Sequence, residues 1–181
     1  MEGAAIAVVL QESVPDATLE VVSTCDLHAT LYTSRDHLPL VARALRDHAD
    51  LKYSLLVDVT AVDYWPREPR FEVVYLFVSI DHGARLRLKV KLDGQEARVA
   101  TVSDLWPAAN WLEREVADLF GIVFEGHPDL RRLLMPEDWE GHPLRKDYPV
   151  QIQMTPRTTT PLQVTEKEFR ANLERDRVAR K

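Results

Sequence analysis

A chain of 181 residues, 45% apolar and 29% charged, can bury one sizeable core but not two, so one main domain with appendages is expected. A net charge of −6 and a pI near 5.5 leave no electrostatic footprint for nucleic acid, and no basic patch interleaved with aromatics offsets this. Cys25 is the single cysteine, which excludes an internal disulfide, a CxxC redox pair and a cysteine-ligated iron–sulfur cluster within the chain.

The opening MEGAAIAVVLQE has a short apolar run but neither a basic n-region nor a cleavage pattern, so a first helix is expected over residues 3 to 14. No apolar run approaches the ~20 residues of a membrane span, and any membrane association is expected to pass through a partner. TLEVVS (18–23) and LHATLYT (27–33) alternate as a strand pair separated by Thr24, Cys25 and Asp26. Ser34 is placed to cap a helix in DHLPLVARALRDHAD, where Leu40, Val41, Ala44, Leu45 and His48 fall at helical spacing. His48, near the end of that helix, suits a partner of its dipole better than a ligand.

Three further strands follow: SLLVDVTAVDY, FEVVYLFVSI after the turn WPREP, and RLRLKVKL after DHGA. In the last, Arg85, Arg87, Lys89 and Lys91 share one face and Leu86, Leu88, Val90 and Leu92 the other. FEVVYLFVSI is expected at the centre, with both neighbours antiparallel because short turns join them. The four cations fit either a solvated outer face or a surface for an acidic partner.

PAANWLEREVADLFG is expected as a helix with Pro107 in its first turn and Gly121 at its end. A helical wheel gathers Ala108, Trp111, Leu112, Val116 and Leu119 on one arc with Glu115 in its middle. Glu113, Arg114, Ala117 and Asp118 point elsewhere, and Arg114 can pair with Asp118. A carboxylate set among apolar side chains needs a partner, so Glu115 is read as a structural ion pair, an interface residue or a catalytic acid. The nearest cations in sequence are Arg131, Arg132, Arg145 and Lys146, and an arginine bond to Glu115 is expected.

The stretch EGHPDLRRLLMPEDWEGHPLRKDYP (125–149) contains EGHP twice. In each copy Gly supplies a backbone conformation closed to other residues and Pro drives the preceding His into an extended one, making two stiff turns around His127 and His142. They could serve as metal ligands, as an acid/base pair, or as two similarly built loops. Neither HExxH nor a Cys/His set is present, and there is no GxSxG, P-loop or GxGxxG. Arginines, Trp139 and Tyr148 on preordered loops are the material of interface anchors.

Beyond Tyr148 the composition becomes Pro/Thr-rich, and residues 156–181 hold seven Lys/Arg against four Asp/Glu. Residues 151–181 are expected as an extended tail suited to an acidic groove, mobile in the isolated chain. Its last part carries the capping-box pattern Thr165-x-x-Glu168 of a short terminal helix. The whole reads as α/β (α+β): a mainly antiparallel sheet of four to five strands packed by two or three helices. The expected division is an α/β domain over 1–124, a GHP loop region over 125–150 that docks to a partner, and the tail.

ANWLEREVADLFGIVFEGHPDLRRLL followed by MPEDWEGHPLRKDYP closely resembles the signature of the thirty-kilodalton subunit family of respiratory complex I, NADH:quinone oxidoreductase, whose bacterial member is the subunit designated C. The resemblance covers residues 109–149 almost without a break. It implies a structural subunit of the peripheral arm, on the cytoplasmic side of the bacterial plasma membrane, that supports electron transfer from NADH to quinone coupled to proton translocation. It also implies that the chain binds no cofactor of its own, the FMN, iron–sulfur clusters and quinone being held by other subunits. The expected partners are chiefly the quinone-site, forty-nine-kilodalton-type subunit designated D, with those designated B and I, and no nucleic acid. Glu113, Glu115 and Asp118 match the family's acidic helix, and His127, His142, Arg145, Lys146, Asp147 and Tyr148 its GHP loops. These residues, with Arg131 and Arg132, are the candidates for partner contacts or structural ion pairs. The alternatives are the equivalent subunit of a ferredoxin-, deazaflavin- or hydrogenase-type membrane complex, or a free-standing metal-dependent hydrolase built on His127, His142 and Glu115.

Overall fold

The computed structural model describes residues 3–26 and 28–149. The expected tail from residue 151 and its terminal helix lie outside them.

Helix α1 (Gly3–Ser13) buries Ile6 and Leu10, four residues apart on one face. Strands β1 (Leu19–Val22) and β2 (Ala29–Thr33) then pair antiparallel as their alternation predicts. Helix α2 (Leu38–Asp47) begins later than a Ser34 cap requires. Pro39 occupies its first turn, and the Ser34 hydroxyl is engaged with the His37 ring at 2.8 Å, so Ser34 fixes the chain just ahead of the helix. Leu38, Val41, Ala42 and Leu45 face the core. His48 is the C-terminal cap residue, and its Nδ1 accepts the Asp50 amide at 3.2 Å.

Strands β3 (Leu55–Asp63), β4 (Phe71–Ser79) and β5 (Ala84–Leu92) form the expected antiparallel meander. The five-stranded sheet has the order β1-β2-β5-β4-β3, which leaves β4 flanked on both sides and β3 at an edge. The pairing of β2 with β5 is parallel, and its partners are too distant in sequence for local patterning to announce it. Phe71, Val73, Tyr75 and Phe77 of β4 and Leu86, Leu88, Val90 and Leu92 of β5 share one core with side chains of all the helices.

On the other face three of the four β5 cations find acidic partners in or beside the sheet. Arg87 bonds Asp26 at 2.6 Å, Lys89 bonds Glu72 at 2.8 Å, and Lys91 lies 3.8 Å from Glu20 and over the Tyr32 ring. Glu72 is the charged exception in a strand that reads as apolar on both faces. It is buried, and Tyr32 Oη donates to it at 2.8 Å.

Helix α3 (Ala109–Phe120) is bracketed by two short strands, β6 (Arg98–Ala100) and β7 (Val123–Glu125), which pair in parallel as a second sheet. Ahead of α3, Trp106 Nε1 donates to the Tyr53 carbonyl at 3.1 Å and its ring packs on Phe77 at 4.7 Å, pinning the helix entrance to the main sheet. Gly121 ends α3 in the left-handed region (φ 72°, ψ 28°), as its position in the sequence predicts. Among the described residues no helix is long and apolar enough to cross a membrane.

Candidate functional site

Helix α3 turns a different face inward from the one the apolar wheel selects. Ala109, Glu113, Val116, Asp118 and Phe120 are buried, while Glu115 is exposed and Trp111 is 60% exposed. The expected clip from an arginine to Glu115 is therefore not formed. The apolar count misleads because the buried carboxylates receive donors from distant loops, while Trp111 faces outward with the Arg114 guanidinium 5.1 Å from its ring. Arg114 itself donates to the carbonyls of Arg131 and Arg132 at 3.0 and 3.2 Å rather than pairing with Asp118.

Asp118 organises the loop after the first EGHP. Its side chain is 0% exposed and bonds Arg132 at 2.9 Å. Its Oδ2 accepts the amides of Leu133, Leu134 and Met135 at 3.0, 2.8 and 2.9 Å. Burial pushes this carboxyl up, but the three amides and the guanidinium outweigh it and hold it below the usual carboxylate range.

The two histidine turns share a backbone device, with Gly126 at φ 81° and Gly141 at φ 80°, and each imidazole reaches back to α3. His127 Nε2 lies 3.1 Å from the Asn110 carbonyl, near the start of the helix, and its Nδ1 accepts the Asp129 amide at 3.0 Å. His142 Nδ1 lies 2.8 Å from the Asp118 carbonyl, in the last turn. The second turn closes the helix end. Leu144 N donates to Leu119 O at 3.1 Å, Arg145 Nε to Phe120 O at 2.5 Å, and Arg145 Nη2 to Gly121 O at 3.3 Å. These are carbonyls that a helix leaves without internal partners, and a guanidinium suits the negative end of its dipole. Gly121 makes the closure possible, because a Cβ there would stand 2.5 Å from both Arg145 Nη2 and His142 Nε2.

A second anchor, of which the sequence-derived candidates include Lys146 and Asp147 but not Asp63 or Arg70, fixes the same loop to the β3–β4 hairpin. Arg70 bonds Asp63 through Nε and Nη2, both at 2.9 Å, and Asp147 through Nη1 and Nη2, at 3.1 and 2.7 Å. Asp63 also accepts the amides of Trp65 and Lys146. Burial pushes the Asp63 carboxyl up, yet Arg70 and the two amides bring it down to about 2. WPREP reads only as a turn in the sequence, and the carboxylate and arginine that flank it carry the signal of the clamp. Lys146 contributes its backbone and leaves its side chain exposed, while Tyr148 stacks on Trp139 and donates to the Glu140 carbonyl at 3.3 Å.

Glu113 is the remaining buried acid, 0% exposed in its side chain. It accepts the Val102 amide at 2.8 Å and a hydrogen bond from the Thr101 hydroxyl, and His127 Nε2 lies 4.0 Å away. Burial outweighs those two donors, with Asp104 adding to it, and pushes this carboxyl up to about 7.

The arrangement is a frame. It orders two loops around one helix and leaves Trp111, Leu130, Leu134, Leu144 and Arg131 on the outside. Among the described residues no group of three or more His, Cys, Asp or Glu is placed to hold a metal ion.

The family described as the respiratory-chain NADH dehydrogenase, 30 Kd subunit, matches residues 31–153. The NADH-quinone oxidoreductase subunit designated C of a Roseiflexus species is 46% identical over 143 residues, 78% of this chain and 80% of that one. The subunit of the same name from Geobacter sulfurreducens is 52% identical over 123 residues, 67% and 75% of the two chains. Among solved structures, a trypsin-resistant fragment (1-134) of Nqo5 superposes with a TM-score of 0.58 at 35% identity, covering 69% of this chain and 98% of the fragment. A chain of the membrane-bound sulfane sulfur reductase, an archaeal respiratory membrane complex, gives a TM-score of 0.68 at 30% identity, covering 82% and 86%.

Proposed function

Because the chain belongs to the thirty-kilodalton subunit family of respiratory-chain NADH dehydrogenase, we propose that it is the non-catalytic member of that name in a peripheral arm, docking to the quinone-site, forty-nine-kilodalton-type subunit. In this reading the subunits designated B and I are further neighbours, FMN, clusters and quinone belong to other subunits, and the chain sits on the cytoplasmic side of the membrane through those partners. Its part in electron transfer and proton translocation is to hold the assembly together.

One observation carries the structural reading: both ring nitrogens of His127 are engaged by main-chain groups, and His142 is tied through Nδ1 to a main-chain carbonyl of α3, so the doubled EGHP fastens the loops to that helix. What the loops leave exposed, an aromatic, leucines and an arginine on stiff backbone, suits an interface centre.

Isolation of the tagged chain from gently solubilised membranes tests this. The quinone-site subunit is expected to accompany it, and the Trp111→Ala/Leu134→Ala double variant, altered only at exposed positions, is expected to recover less of it. Recovery of the chain alone, or turnover or a stoichiometric metal in the purified chain, would overturn the reading. The likeness to the sulfane sulfur reductase chain favours a second reading, the equivalent subunit of a membrane complex with another electron donor. The input module that accompanies the tagged chain separates the two.

A further inference from the structure

Glu113 and the hydroxyls beside it form a continuous chain that the docking role does not use. The Thr101 hydroxyl bonds the Glu113 carboxyl on one side and lies 2.9 Å from Ser103 Oγ on the other. Thr101 and Ser103 are both half-buried, so the chain runs from a fully enclosed carboxyl to the surface. A threonine hydroxyl has one hydrogen and can serve only one of these neighbours at a time. The two directions of the chain therefore correspond to the two protonation states of Glu113.

Among the described residues no fixed counter-charge faces Glu113. On the loop before α3, Asp104 is exposed and repels charge on Glu113. On β4, the buried Tyr75 hydroxyl has no hydrogen-bond partner among the described residues and is pushed far up by burial and by Glu113. After β7, His127 is the nearest basic group, but its Nδ1 accepts an amide and its Nε2 faces a carbonyl. That pairing leaves Nδ1 as an acceptor and directs Nε2 to the Asn110 carbonyl and not to Glu113. On α3 itself, Arg114 is committed to the carbonyls of Arg131 and Arg132.

We propose that Glu113 is a reversible proton-binding site whose proton arrives along the Ser103 and Thr101 hydroxyls. In the ionised state Ser103 O–H points to Thr101 Oγ1, and Thr101 O–H points to Glu113. A proton from hydronium adds to Ser103 Oγ, the Ser103 hydrogen passes to Thr101 Oγ1, and the Thr101 hydrogen passes to Glu113 Oε2. One proton enters, one water is released and no other bond changes. Afterwards the carboxyl donates to Thr101 and Thr101 donates to Ser103. Release reverses the order. This site goes beyond the docking role and does not depend on it.

Difference infrared spectroscopy of the full chain between pH 5 and pH 8 tests the assignment. A carbonyl band of a buried carboxylic acid is expected to vanish on raising the pH and to be missing from Glu113→Gln. Ser103→Ala, at a half-buried position, leaves the Thr101 O–H without an acceptor in the protonated state, whereas in the ionised state Thr101 still donates to Glu113 and still accepts the residue-103 amide at 3.1 Å. Proton binding is then expected to weaken about threefold to tenfold, moving the titration to lower pH. If Glu113→Gln does not fold, the Ser103→Ala shift carries the assignment. The absence of a titrating buried acid in the wild type, or its persistence in Glu113→Gln, overturns the site. A titration unmoved by Ser103→Ala overturns the hydroxyl route.

Discussion

Replacing Asp118 with asparagine keeps the shape of the side chain and removes the charge that gathers the loop after the first EGHP. The asparagine oxygen can still face the amides of Leu133, Leu134 and Met135, but its NH₂ then points at Arg132, donor against donor. Removing one partner of a buried pair costs ~3–5 kcal/mol. Arg132 is 27% exposed and recovers part of its hydration, so the expected loss is about 2–3 kcal/mol. In urea, followed by tryptophan fluorescence, this lowers the unfolding midpoint by about 1 M. Trypsin is expected to cut faster at Arg131 and Arg132 in the variant. Because the native carboxyl is held below its ordinary 3.8, its contribution is present above that pH and fades on acidification, so the gap between the proteins narrows in acid. A midpoint within about 0.2 M of the wild type at neutral pH, with unchanged cleavage, would show that the loop is ordered without Asp118.

Glu113 has the opposite sign. Its folded carboxyl sits at about 7 against an ordinary 4.5, so its contribution is present below 4.5 and is lost as pH rises through 7. Urea midpoints of the wild type are expected to fall by the equivalent of roughly 3 kcal/mol across that window, and Glu113→Gln to flatten the fall. Gly121→Ala combines left-handed strain with displacement of His142 and Arg145 from the helix carbonyls, and calorimetry is expected to register about 3 kcal/mol. Arg70→Met strands the enclosed Asp63 and frees Asp147, with an expected loss of ~3–5 kcal/mol in chemical denaturation. The wild type is expected to lose stability as pH falls from 3.8 to about 2, and the Arg70→Met variant to lack that acid sensitivity.

Much of the sheet was legible because alternation is local. RLRLKVKL states which side of β5 is buried, and short turns fix the meander β3–β4–β5. The parallel pairs β2–β5 and β6–β7 were not legible, since their partners meet only after intervening elements have folded. Helix α3 was found with nearly its true ends, yet its inner face was misread. The wheel counts apolar side chains, whereas Glu113 and Asp118 are drawn inside by backbone amides of Val102 and of Leu133 to Met135, which a helix pattern does not contain. Trp111 is apolar yet stays outside, 60% exposed. The EGHP turns were recognisable from glycine and proline. That they fold back onto the two ends of one helix follows from distances and not from letters.

The closure of α3 by residues 142–145 also sets a sequence of events for a chain synthesised from its amino end. Helix α3 is complete in composition at Phe120, but its last carbonyls remain facing water until the second EGHP has been made. The Asp63–Arg70 pair likewise waits for the Lys146 amide and the Asp147 carboxylate. A nascent chain interrupted before residue 142 therefore carries a sheet and a helix with a loose end. One that reaches Asp147 gains the helix cap and the clamp within a few residues. Among the described residues, the surface formed by the loops is thus the last to be completed.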